Sequence, residues 1–82
     1  MHKGRVTGSI VATQKAAGLT GFKLLNVTPE GGGPELVAVD LVGAGEGDLV
    51  LVATGAAARQ NDQTREAPTD AAVVAVVDPS PR

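Results

Sequence analysis

The chain has no cysteine, one histidine and one aromatic residue in its 82 positions. Without cysteine it can form neither a disulfide nor a thiolate metal site, and His2 alone cannot hold a structural zinc ion. Phe22, the single aromatic residue, does not provide the stacking surface that single-stranded nucleic acid needs. The sequence therefore predicts no metal and no cofactor.

The chain also lacks an excess of positive charge and a long apolar run. Its formal net charge is −2 at pH 7, which argues against a phosphate-binding surface and against nucleic acid as a partner. Its longest apolar runs, such as residues 71–77, are far shorter than a bilayer span, and no targeting segment is recognised at its start. We expect a soluble, cytoplasmic protein with no membrane partner.

The length of the chain predicts a single domain. Residues 1–78 are expected to form one β-barrel domain, and residues 79–82, which contain Pro79 and Pro81, a flexible tail. A core of this size gives only marginal stability unless disulfides, metals or oligomerisation support it. Since the first two are excluded, oligomerisation is the support that remains.

Five segments rich in β-branched residues are predicted to be strands. They comprise residues 5–13, 22–28, 36–42, 48–54 and 73–78. The alanine-rich residues 55–59 predict one short helix, and residues 15–21, which include two glycines, predict a loop. The fold class is therefore all-β, and strands this short suit a small closed or nearly closed barrel.

A glycine-rich stretch joins the third and fourth predicted strands. Gly43, Gly45 and Gly47 alternate there with Ala44 and Glu46. Nucleotide-binding loops show similar spacing, but a helix follows them to meet the phosphates, whereas a strand follows here. We interpret the stretch as a tight strand connection or a contact surface, because glycine permits positive φ and close approach of another backbone.

The third and fourth predicted strands are apolar on both faces. In the fourth strand, for example, Leu49 and Leu51 oppose Val50 and Val52. Strands of this kind normally lie in sheets covered by helices, and no predicted helix is long enough to cover them. An exposed apolar face would be an aggregation hazard, so we expect other copies to bury it in an obligate oligomer.

Asp40 and Arg59 are the charged candidates for a site. Asp40 lies in an apolar strand, where a buried carboxylate must be hydrogen-bonded or paired. It is either a satisfied structural residue or half of a pair between subunits, with Arg59 as the candidate partner. Arg59 itself is either solvated or an interface anchor. Glu46 and Asp48 are weak candidates for a cation site, and no catalytic residue is predicted because no second reactive group accompanies Asp40.

Short motifs follow one another in order along nearly the whole chain. They are Gly4-Arg5-Val6 with Gly8, Thr13-x-Lys15, Leu19-x-Gly21-x-Lys23-Leu24-Leu25, Val37-Ala38-Val39-Asp40, Val42-Gly43-Ala44-Gly45-x-Gly47, Gly55-x-x-Ala58-Arg59, and Pro68-Thr69-Asp70 with residues 71–78. In this order and length they resemble the pentameric vertex proteins of bacterial microcompartment shells, of the carboxysome and ethanolamine-utilisation type. Two positions depart from that family, with Ala56 in place of a usual serine and Asp48 in place of a common glutamate.

The resemblance implies a five-stranded barrel similar to an oligonucleotide-binding (OB) fold, assembled as a cyclic homopentamer. It implies a structural, non-enzymatic protein that caps the vertices of a shell built otherwise from hexameric proteins, which would be its partners. It also favours the anchor role for Arg59. The candidates for a subunit interface or a pore loop are Asp40, Gly43, Ala44, Gly45, Gly47 and Arg59. The alternative is a small oligomeric OB-like barrel that binds a ligand or nucleic acid.

Overall fold

Five β-strands close into a barrel in the structure, a computed structural model that describes residues 1–78. The strands are β1 (His2–Ile10), β2 (Leu24–Pro29), β3 (Leu36–Asp40), β4 (Leu49–Thr54) and β5 (Ala71–Val76). Two short 3₁₀ helices, Ala17–Leu19 and Gly55–Arg59, lie in the connections. The predicted all-β barrel and the short helix at residues 55–59 are confirmed, whereas the predicted tail, residues 79–82, lies outside the described residues.

The strand order around the barrel is β1-β2-β3-β5-β4, and β4 pairs back with β1. All pairs are antiparallel except β3 with β5, which run parallel. β3 and β5 run parallel because the chain reverses direction twice between them, once into β4 and once out of it, so that residues 41–70 together form the long connection that a parallel pair needs. This order is that of a five-stranded Greek-key barrel of the OB type.

Some strand limits differ from those expected, for reasons of pairing. β1 begins at His2 because its first residues pair with β4, with His2 opposite Val52. It ends at Ile10, opposite Leu24, the first residue of β2. β3 ends at Asp40 because the chain turns there, and the carboxylate of Asp40 accepts a hydrogen bond from the N–H of Val42. The first and last residues of the strands thus depend on which residues pair, and sequence periodicity does not reveal that pairing.

The barrel interior is filled by small and β-branched apolar side chains. Its buried residues are Val6, Leu25, Val27, Ala38, Ala44, Val50, Val52, Ala71 and Val73. Each large side chain among them contributes about 1.5–3 kcal/mol by leaving water. Ala44 belongs to this core although it lies in the connection between β3 and β4, so that the connection is anchored to the interior.

A second apolar cluster lies outside the barrel, around Val39, Ala58 and Ala72. The half-buried residues packed against it are Leu19, Phe22, Leu24, Leu41 and Val74. The two 3₁₀ segments of the chain therefore cover part of the outer face of β3 and β5. The expectation that the chain has nothing of its own to cover the second face is wrong for this region, because two short segments together replace one long helix.

Several large apolar side chains stay exposed nonetheless. They are Met1, Val11, Val37, Val42 and Val76.

Among residues 1–78, no helix combines the length and the apolar character needed to cross a bilayer.

Candidate functional site

The connection between β3 and β4, residues 42–48, is called the glycine loop here. Gly43 and Gly47 have φ values of 78° and 92°, which side-chain-bearing residues adopt only at a cost. Gly45 is different, because its φ is not in the left-handed region and a Cβ atom there would meet nothing within 4 Å. The backbone conformation of the single chain therefore explains why positions 43 and 47 are glycine. The expectation that a positive φ requires glycine is wrong for Gly45.

Asp40 holds the start of the glycine loop. Its Oδ1 atom accepts hydrogen bonds from the N–H of Val42 at 3.1 Å and from the N–H of Ala44 at 3.2 Å. The side chain is only 4% exposed. A buried carboxylate must be satisfied in this way, and the two bonds fix the turn that leads out of β3.

Lys23 supplies the counter-charge to Asp40, a role that the sequence did not reveal. Its Nζ atom lies 3.5 Å from Oδ2 of Asp40 and donates to the carbonyl of Ala44 at 2.6 Å. The N–H of Asp40 donates to the carbonyl of Lys23, so the two residues face each other where β2 and β3 pair. The register of this hairpin is the signal that could have identified the pair.

The far end of the loop is bound to β1. The N–H of Gly47 donates to the carbonyl of Val6 at 2.8 Å, and the N–H of Val6 donates to the carbonyl of Asp48 at 2.9 Å. The guanidinium of Arg5 donates to the carbonyl of Gly47 at 3.0 Å. Within the loop, the N–H of Gly45 donates to Oδ2 of Asp48 at 2.8 Å. The loop is therefore held at both ends and across its middle.

Arg59 lies apart from this network within the chain. Its guanidinium donates to the carbonyl of Thr69 at 2.8 Å and so ties the 3₁₀ helix Gly55–Arg59 to the segment that leads into β5. Asp40 has Lys23 as its cationic neighbour instead. A pair between Asp40 and Arg59 of different subunits stays a prediction.

The glycine loop has little chemistry of its own. Asp40 and Asp48 accept backbone N–H groups, and Lys23 and Arg5 donate to backbone carbonyls. Within the described part of the chain, no group of three or more His, Cys, Asp or Glu side chains could hold a metal ion. The arrangement presents a loop held by hydrogen bonds, with bare backbone at its glycines and exposed side chains at Val42 and Glu46, which is suited to contact with another polypeptide.

The comparisons with known proteins agree with this geometry. The family model described as "Ethanolamine utilisation protein EutN/carboxysome" matches residues 1–78. The microcompartment shell vertex protein PduN of Salmonella typhimurium is 45% identical over 87 residues, which cover 95% of this chain and 96% of PduN. Among solved structures, CcmL of Nostoc sp. PCC 7120 has a TM-score of 0.86 at 43% identity, and the match covers 95% of this chain and 88% of the CcmL chain.

A third relative is described as a pentamer. The "GrpN pentameric microcompartment shell protein" of Rhodospirillum rubrum has a TM-score of 0.84 at 43% identity, and the match covers 96% of this chain and 95% of GrpN. The chain thus shares its fold and much of its sequence with proteins that are named as microcompartment shell proteins. The chain belongs to the EutN/CcmL family, which confirms the resemblance seen in its motifs.

Proposed function

We propose that the chain assembles as a cyclic homopentamer that occupies the fivefold vertices of a bacterial microcompartment shell. The single observation that carries this proposal is the match to the pentameric protein GrpN, which spans nearly the full length of both chains. At 43% identity and a TM-score of 0.84 over nearly the whole of both chains, the two proteins share one fold and a common origin. The shell is then the location of the protein.

The function of such a pentamer is its shape. Flat sheets of hexameric proteins close into a polyhedron only when fivefold units take the corners, and hexameric shell proteins are the proposed neighbours. The protein turns over no substrate in this role. Support comes from the charged side chains around the glycine loop, whose hydrogen bonds go to backbone groups of the chain itself.

Light scattering on a size-exclusion column tests the assembly directly. Five chains of 8.2 kDa give a particle of about 41 kDa, and we expect this mass to persist on dilution to micromolar concentration. A monomer or dimer at that concentration would contradict the proposal.

A further inference from the structure

A cavity of about 270 Å³ lies at the end of β3, and it is called the Asp40 cavity here. Its lining residues are Thr20, Gly21, Phe22, Asp40, Leu41 and Gln63. Phe22 and Leu41 give it an apolar wall that continues into the second apolar cluster. Thr20, Asp40 and Gln63 bring a hydroxyl, a carboxylate and a carboxamide to it. An apolar wall with a few polar groups is the usual composition of a small-molecule site.

Close backbone packing holds the walls of the Asp40 cavity in place. Residues 17–22 and residues 60–68 form two of these walls. A Cβ atom on Gly18 would lie 2.5 Å from the carbonyl oxygen of Glu66, so that only glycine allows the two segments to approach this closely. Thr64, which follows Gln63, is fully buried. The cavity is therefore bounded by segments that the fold fixes.

Asp40 retains an unused acceptor in this cavity. An ionised carboxylate has about four lone-pair positions, and Oδ1 of Asp40 uses two of them on the N–H groups of Val42 and Ala44. The cationic neighbour of Oδ2 is Nζ of Lys23 at 3.5 Å, whereas a charge-assisted hydrogen bond measures about 2.7–2.9 Å. That Nζ atom donates to the carbonyl of Ala44 instead. Because the side chain of Asp40 is only 4% exposed, Oδ2 is an acceptor that is largely removed from water.

The Lys23–Asp40 pair determines the charge of a suitable ligand. The two side chains already balance each other, so a cationic ligand would be repelled by Lys23 and an anionic one by Asp40. A neutral group with an N–H donor satisfies Oδ2 without either penalty. The exposed side chains of Thr20 and Gln63 can donate to an acceptor on the same ligand.

We propose that the Asp40 cavity binds a small neutral carboxamide. The ligand donates an N–H to Oδ2 of Asp40, accepts a hydrogen bond from Thr20 or Gln63, and places its flat face against the ring of Phe22. All of these groups belong to one chain, so the site does not depend on the proposed pentamer. Binding there acts on the glycine loop, because the same carboxylate holds the N–H groups of Val42 and Ala44.

Acetamide and acetone are a matched pair of probes for this site. They have the same number of non-hydrogen atoms, but only acetamide has N–H donors. We expect acetamide to give saturable shifts in the NMR spectrum of the wild-type protein, confined to the amide signals of residues 20–22, 40–41 and 63, in the millimolar range that so small a probe allows. Acetone should bind at least about tenfold more weakly, because it leaves the buried carboxylate oxygen without a donor.

Two glutamine variants test where the probe binds. Gln63→Met removes the carboxamide at the cavity with little change in size, and we expect it to weaken acetamide binding about threefold or more. Gln14→Met is the matched control, because Gln14 is exposed and does not line the cavity, and it should bind as the wild type does. Shifts that do not saturate, equal affinities for acetamide and acetone, or equal affinities of the two variants would each overturn the proposal. The mass of the particle is measured separately, so a failure here leaves the proposed function standing.

Discussion

Lys23 and Asp40 face each other across the β2–β3 hairpin, with the Nζ atom of Lys23 3.5 Å from Oδ2 of Asp40. The pair is asymmetric, because the side chain of Asp40 is 4% exposed and that of Lys23 is 49% exposed. Asp40 binds two backbone N–H groups of the loop, and Lys23 binds a loop carbonyl. Two side chains from paired strands thus fix the glycine loop in one conformation.

Replacing Asp40 with alanine is expected to destabilise the fold. The change leaves the N–H groups of Val42 and Ala44 without their acceptor, and because Ala44 is fully buried its unsatisfied N–H costs about 1–3 kcal/mol. Urea unfolding of the variant should show this loss. Asp62→Ala is the control, because Asp62 is exposed and its pair with Arg65 is worth about 0–1 kcal/mol. Equal unfolding midpoints for the two variants would contradict the structural role of Asp40.

Alanine substitutions in the glycine loop should separate folding from assembly. Gly43→Ala and Gly47→Ala place a side chain at positive φ, which costs about 1–3 kcal/mol and lowers the melting temperature. Gly45→Ala carries no such strain and should leave the stability of the folded chain unchanged.

The matched control is Gly31→Ala, because Gly31 also has open space and no positive φ. A valine at position 45 should then weaken the oligomer without unfolding the barrel, as seen by mass at constant circular dichroism. If Gly45→Val lowers the melting temperature of the barrel as much as Gly43→Ala does, the conclusion that Gly45 serves contact between chains is wrong.

Much of the fold could be predicted because strand periodicity is a local property of the sequence. All five strands and the helix at residues 55–59 follow from alternation, alanine content and glycine breaks. The contact between Lys23 and Asp40 could not be predicted in this way, because it depends on the register of two strands. The cover provided by Leu19 and Phe22 was missed because a three-residue 3₁₀ helix leaves no period to detect.

Arg59→Ala should cost more than Arg65→Ala. The guanidinium of Arg59 donates to the carbonyl of Thr69 and so positions the segment before β5, whereas Arg65 pairs with the exposed Asp62. We expect a loss of about 0.5–1.5 kcal/mol for the first variant and about 0–1 for the second. A larger effect of Arg59→Ala on dissociation of the oligomer than on unfolding of the chain would support the predicted interface role. Equal unfolding and dissociation midpoints for both arginine variants would instead show that Arg59 is a solvated residue without a structural role.

The proposed role at the vertices predicts a defect of shell closure when the gene is deleted. With the hexameric shell proteins and the enclosed enzymes left intact, flat sheets have no fivefold unit at which to turn a corner. Electron microscopy should therefore show elongated or open compartments.

The activity of the enclosed enzymes distinguishes this role from a catalytic one. If the protein is structural, its deletion leaves those enzymes fully active in a cell extract. Only the retention of intermediates inside the compartment is then reduced. A barrel that binds a substrate would instead leave the shells closed and remove one chemical step. Restoring the intact gene should return closed shells. Normally closed shells in the deletion strain would rule out the vertex role.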